Sequence, residues 1–201
     1  MAEPQKRGLP LLVTRETCSG RTYIVTGANT GLGFEAAKHL ALVGAAKVVL
    51  AVRNLAAGEA AKAKIDAATG DKTGVVEVWH LDLSSYDSVK AFAKRATDQL
   101  DRIDGLIENA GVSIDKRAVA EGHLLTNTVN VFSTFLLAAL LLPEMSKKAK
   151  KAGGEANGVL PRLVIVSSTF GFDPNFKGVW EQIKHDPIGE MDKEEFNTFV
   201  T

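Results

Sequence analysis

Cysteine is nearly absent: Cys18 is the only one in 201 residues, which excludes an internal disulfide framework and any zinc module built from several thiolates. An excess of either charge is also missing, with 24 basic and 24 acidic side chains. A chain built to hold a polyanion carries a basic surplus, so nucleic acid is not an expected partner. His39, His80, His123 and His185 show no metal-ligand spacing with one another or with the cysteine, and no metal is expected. Long apolar runs are lacking too. Residues 11–13 fall short of the ~7–15-residue core of a secretory signal. Residues 135–142 fall short of the ~20 that a membrane span requires. A cytoplasmic protein without a membrane partner is the expectation. Tyrosine is scarce, with Tyr23 and Tyr86 alone.

What is present is the composition of a globule, 45% hydrophobic and 24% charged. From Thr22 onward short β-branched runs alternate with longer helical ones. Residues 22–26, 47–52, 75–81, 103–108 and 163–167 read as strands, each short and apolar as strands buried on both faces should be. Residues 32–43, 55–68, 85–100 and 124–151 read as helices. In the third of these, Val89, Phe92, Ala96 and Leu100 fall on one stripe at steps of three and four, with Ser85 or Ser84 as amino-terminal cap. This alternation predicts an α/β fold, a doubly wound parallel sheet with right-handed crossovers. Residues 1–20 read as an amino-terminal extension, 21–172 as a Rossmann-type domain, and 173–201 as an irregular tail. Lys147, Lys148, Lys150 and Lys151 read as a solvated run that complements the dipole of the helix carrying them.

The first strand runs into Thr26-Gly27-Ala28-Asn29-Thr30-Gly31-Leu32-Gly33, and a helix follows. So tight a strand-to-helix turn needs a residue free of Cβ sterics at its start, which Gly27 supplies. Gly31 would let backbone approach a pyrophosphate, and Gly33 would let helix and sheet pack closely. The helix amino terminus then offers unpaired N–H groups to the anion. Twenty residues past Gly33 the second strand ends at Val52-Arg53-Asn54. An acidic residue there favours NAD, and a basic one accommodates the 2′-phosphate of NADP. Arg53 therefore favours NADP, the other reading being a solvated arginine at a strand end.

The spacing Thr-Gly-x3-Gly-x-Gly resembles that of the short-chain dehydrogenase/reductase family, and four further motifs arrive in that family's order over residues 20–172. His80-Leu81-Asp82-Leu83 closes the third strand, and the resemblance implies that Asp82 contacts the adenine ring. Glu108-Asn109-Ala110-Gly111 follows the fourth strand and resembles the family's Asn-Asn-Ala-Gly, with Asn109 retained beside the nucleotide and Glu in the first place. Asn130 matches a catalytic asparagine that kinks the long helix. In Ile165-Val166-Ser167-Ser168, the second serine matches the one that hydrogen-bonds the substrate carbonyl. The stretches at 50–59 and 81–94 look most like the fungal branch that tailors secondary metabolites. The resemblance thus implies NADP held by Gly27, Asn29, Gly31, Leu32, Gly33, Arg53, Asp82 and Asn109. It implies Asn130 and Ser168 as catalytic residues, and a small-molecule carbonyl or alcohol as substrate. Homo-oligomers are common in the family.

The family's proton donor is a tyrosine followed four residues later by lysine, placed after the serine. Both tyrosines of this chain precede Ser168, and Tyr86 with Lys90 satisfies that spacing only as neighbours on one helix face. The expectation is a carboxyl-terminally incomplete fold whose fifth strand and long helix expose apolar surface. Hydride transfer is then one reading. Nucleotide or partner binding without turnover, and a truncated inactive product, are the others.

Overall fold

A computed structural model describes residues 13–70, 74–114, 116–151, 160–168 and 176–194. Five short strands make one sheet: β1 (Thr22–Thr26), β2 (Lys47–Val52), β3 (Val76–His80), β4 (Gly105–Glu108) and β7 (Arg162–Ile165). They lie in the order β3-β2-β1-β4-β7 and every pairing is parallel. The order reverses between β1 and β4, and a crevice opens at such a reversal beyond the carboxyl ends of the strands.

Alternation along the strands decides which side chain serves which face. Ile24, Val49, Ala51, Trp79 and Leu106 point to one side. There they meet α4 (Tyr86–Gln99) and α6 (Thr134–Lys151). Tyr23, Val25, Val48, Leu50 and Val52 point to the other, against α2 (Gly31–Leu42) and α3 (Leu55–Thr69). The stripe Val89, Phe92, Ala96 and Leu100 is buried as its spacing predicts. The Ser85 hydroxyl accepts the Ser88 N–H at 3.3 Å, which caps α4.

Four expectations are corrected. The long helix does not begin at residue 124: a two-stranded hairpin, β5 (Val119–Ala120) with β6 (His123–Leu124), precedes it. The helix itself opens as α5 (Leu125–Asn127), passes through a π-helical turn over Thr128–Ser133, and only then continues as α6. The hairpin turns at Glu121 and Gly122, both at positive φ, and strands of two residues leave no periodicity to read. Second, the run Leu125–Lys151 is long and apolar enough to cross a membrane by length and composition, which residues 135–142 alone do not show. Its row Leu137, Ala138, Leu141 and Met145 is buried against α4 and the sheet, so it serves as a core helix. Third, Lys148, in the last turn of α6, is not simply solvated: it donates to the carbonyls of Thr97 and Leu100 at the end of α4. Fourth, the tail expected to be irregular carries α7 (Phe176–Ile183) and α8 (Pro187–Asp192). Asp186 caps α8 by accepting the Gly189 N–H at 3.1 Å, with Pro187 in the first turn. That Asp-Pro pair is a helix-start signal legible in the sequence.

The tail is docked through α8. The Asp192 carboxylate accepts from His123 Nδ1 at 2.6 Å and from the Leu124 N–H at 2.8 Å, and its carbonyl accepts from Arg117. At the other end, α1 (Arg15–Cys18) puts Cys18 into the core beside Tyr23. Residues 1–12, most of the expected extension, lie outside the described residues. Among the described residues β7 pairs only with β4, and Val164, Ile165 and Val166 are exposed beside it, as are Phe135 and Leu140 on α6.

Met145 and Leu140 share α6 but not a surface. Met145→Ala is expected to cost about 2–5 kcal/mol by leaving a cavity, and Leu140→Ala less than about 1 kcal/mol, read from urea denaturation midpoints. Equal losses would contradict the core assigned to α6.

Candidate cofactor site

The site begins where β1 ends. Gly27 turns the chain at φ +64°, and a Cβ there would stand 3.0 Å from the Ala110 Cα. A Cβ on Gly33 would collide with the Asn109 amide nitrogen at 2.4 Å and the Gly27 carbonyl at 2.8 Å, so α2 packs at this distance only because residue 33 has no side chain. Gly31, at φ +58°, faces open space. The sequence assigned Gly27 to the tight turn and Gly33 to close packing of helix on sheet, and the φ of the one and the crowding of the other agree with that. Thr30 precedes α2 without a side-chain cap, and no acid lies in the first turn. The positive end of the helix dipole is left uncompensated.

Thr26 fixes this loop to the neighbouring strand. Its hydroxyl oxygen accepts the Asn109 N–H at 3.0 Å and the Ala110 N–H at 2.9 Å, and its carbonyl accepts the Asn109 side-chain N–H at 3.0 Å. Asn109 therefore works as a clamp between the ends of β1 and β4. The glycine motif begins at Thr26 but by itself gives that residue no role. A threonine at the last buried position of a strand, directly before a glycine turn, was the available signal.

An open cleft enclosing about 120 Å³ lies above these strand ends. Gly27, Asn29, Arg53, Asp82, Gly111 and Val129 are among its walls, so four of the eight expected cofactor residues meet there. Asn54 caps α3 by accepting the Ala57 N–H at 3.0 Å, and the exposed Arg53 precedes it on the rim. Asp82 is steadied by Ser84, whose N–H and hydroxyl both donate to its Oδ1, at 2.9 and 2.6 Å. Gly31, Leu32, Gly33 and Asn109 do not line the cleft. Leu32 is 76% exposed on the first turn of α2.

Asn130 lies in the π-helical turn, where its Oδ1 accepts the Val112 N–H and its Nδ2 donates to the Val112 carbonyl, both at 2.8 Å. The turn is thus pinned to the loop that forms the cleft wall at Gly111 and Val112. Ser168 lies exposed, three residues past β7. Neither Tyr86 nor Lys90 lines the cleft. Lys90 pairs with Asp87 at 3.2 Å, and burial, together with the carboxylates of Glu121 and Asp192, pushes the Tyr86 phenol above its ordinary value. Tyr23 is buried in the core, and burial and its contact with Cys18 push its phenol up as well. Glu108 ends β4 with a buried carboxyl group, which burial raises from 4.5 to about 8 against the opposing effect of the Thr26 hydroxyl.

Residues 21–180 match the family model described as short chain dehydrogenase. The chain belongs to this family. Three fungal relatives carry the likeness at the level of sequence. Short chain dehydrogenase/reductase dmxR8 of Cryptosporiopsis sp. is 49% identical over 131 residues, covering 65% of this chain and 40% of the relative. Short chain dehydrogenase atnD of Emericella nidulans is 46% identical, covering 72% and 45%. Short chain dehydrogenase FGM9 of Gibberella zeae is 35% identical, covering 82% and 46%. The chain spans less than half the length of these relatives. Among solved structures, a metagenomic short-chain oxidoreductase in complex with NADP superposes with a TM-score of 0.57 at 31% identity, over 65% of this chain and 59% of that one. A Shigella flexneri short chain dehydrogenase complexed with NADP gives 0.55 at 28%, over 67% and 57%.

Thr26→Val keeps shape but strips the hydroxyl from two backbone N–H groups. The expected cost is about 1–3 kcal/mol for each buried donor left unpaired. Thermal or urea unfolding of this variant checks it, and a loss below about 0.5 kcal/mol would remove Thr26 from the role given to it.

Proposed function

We propose that this chain forms the NADP-binding part of a short-chain oxidoreductase that moves a hydride between NADP(H) and a carbonyl or alcohol of a small molecule in fungal secondary metabolism. The observation that carries the reading is the glycine loop. It is closed where packing needs it, at Gly33, and open at Gly31 in front of an uncapped helix terminus, with a guanidinium on the rim of the adjoining cleft. The NADP complexes of the two solved relatives support it.

The residues present fit the dinucleotide. Backbone N–H groups of the first turn of α2 would take the diphosphate, Arg53 the 2′-phosphate, and Asp82 the adenine end, as strand-end positions in such sheets do. When bound, the cofactor supplies or accepts the hydride. Asn130, locked to Val112, would hold its stretch of helix against the cleft wall, and Ser168 would donate a hydrogen bond to the substrate oxygen. A second reading, binding without turnover by this polypeptide, is favoured by the placement of both tyrosines away from the cleft lining, with phenols pushed up.

Titration of the purified protein with NADPH and NADH, followed by tryptophan fluorescence or calorimetry, tests the cofactor. NADPH is expected to bind more tightly. Arg53→Ala should lose about tenfold or more in NADPH affinity, the equivalent of one charge-assisted phosphate contact, and little in NADH affinity. Equal affinities in the wild type would sink the assignment of Arg53. NADPH oxidation with a panel of carbonyl compounds then separates turnover that needs Ser168 from binding alone.

A further inference from the structure

We propose that Glu108 is a positioning residue of the cofactor loop: a buried carboxyl group that takes the proton of the Thr26 hydroxyl and so fixes the turn on which Gly27 is packed. β1 and β4 run parallel with Val25 opposite Ile107. One rung further on, Thr26 stands opposite Glu108, and both side chains fall on the face of Ile24 and Leu106. The two are enclosed there, Thr26 wholly and Glu108 with 2% of its surface exposed. Both lone pairs of the Thr26 hydroxyl are taken by the N–H groups of Asn109 and Ala110, so its own proton must be given to an acceptor. The carboxyl group across the rung is a buried acceptor on that face. Neither of its oxygens has a hydrogen-bond partner as the side chains stand, so it is open to take that proton.

The surroundings keep the carboxyl neutral. The helices covering this face present Val89, Phe92 and Ala96 from α4, and Leu137 and Leu141 from α6. Ile165 of β7 is the strand neighbour on the other side. The Ser133 hydroxyl of the π-helical turn is buried and uncharged. Besides burial, the Thr26 hydroxyl is the single influence on Glu108, and no charged side chain among the described residues compensates it. An ionised carboxylate in such a place is costly. It would also put a negative charge one rung from the turn that receives a diphosphate. Above pH 8, Glu108 ionises in the folded protein, and the loop should lose affinity for an anion.

The proposal rests on the NADP(H) reading for its binding arm only. NADPH affinity is measured from pH 6 to 9.5 for the wild type, Glu108→Gln and Glu108→Leu. Wild-type affinity is expected to fall by up to about tenfold per pH unit above pH 8, the limit for one coupled proton. Glu108→Gln keeps an uncharged acceptor, so it should match the wild type at pH 6.5 and lack this loss. Glu108→Leu should bind about tenfold more weakly at every pH, because the Thr26 proton loses its acceptor. A glutamine variant with the wild-type pH profile, or a leucine variant with wild-type affinity, overturns the proposal.

Melting of the nucleotide-free protein supplies the independent arm. Because the folded pKa lies above the unfolded one, the folded protein holds a proton that the unfolded chain releases near pH 4.5. Wild-type stability relative to Glu108→Gln should therefore fall from about pH 5 to pH 8 and level off above. If no variant binds NADPH at any pH, the cofactor reading fails, and the melting difference alone decides: a flat difference from pH 5 to 8 refutes the role of Glu108.

Discussion

Three hydrogen bonds to one residue hold the working end of this sheet together. Thr26 accepts two backbone N–H groups at its hydroxyl and the Asn109 amide at its carbonyl, and so ties the last rung of β1 to the turn after β4. The strands themselves would leave those ends free to splay, since parallel ladders stop where the chains diverge. With the tie in place, Asn109 lies under Gly33 and Ala110 under Gly27 at distances that admit no side chain. The glycine loop therefore takes its shape from its neighbours more than from its own flexibility.

Everything expected of the cofactor follows from that fixed floor. α2 starts close to the sheet with its terminus uncapped, and Arg53 and Asp82 border the cleft that Gly27 and Asn29 line before it. The wall beyond Gly111 is held separately, by the paired bonds between Asn130 and Val112. The site thus has two independently braced sides. One belongs to the ends of β1 and β4 and the other to the helix bearing Asn130. The exposed apolar side chains along β7 and α6 lie beyond both.

The sheet and its helices were legible because their signals are periodic or compositional. β1 and β2 have the predicted bounds, and the buried stripe of α4 is the one its spacing gives. The turn at Gly27 and the packing at Gly33 were legible because each is a steric requirement at a definite offset. What escaped lacks such a signature. The β5–β6 hairpin is too short for alternation, and its turn places Glu121, an improbable residue, at φ +53°. Lys148 reaches the end of a different helix, and only the packing of α6 on α4 reveals its target. The bond from the Asn109 amide to Thr26, a partner 83 positions away, has no local signal in the motif. Glu108 was visible as a departure from the motif, but its burial depends on helices that the sequence does not place.

The π-helical turn has a further consequence. Leu125, Val129, Ser133, Leu137, Leu141 and Met145 recur every fourth residue, and all face the core to some degree. On an ideal α-helix such a row would wind away by about 40° at each repeat. The wider turn over Thr128–Ser133 absorbs part of that drift and keeps the two halves in phase. Loss of a single codon within it would swing everything upstream by about 100°. Asn130 would leave Val112, and the hairpin would part from α8, while the core below stayed packed. Length at this turn is thus as constrained as any side chain in the site.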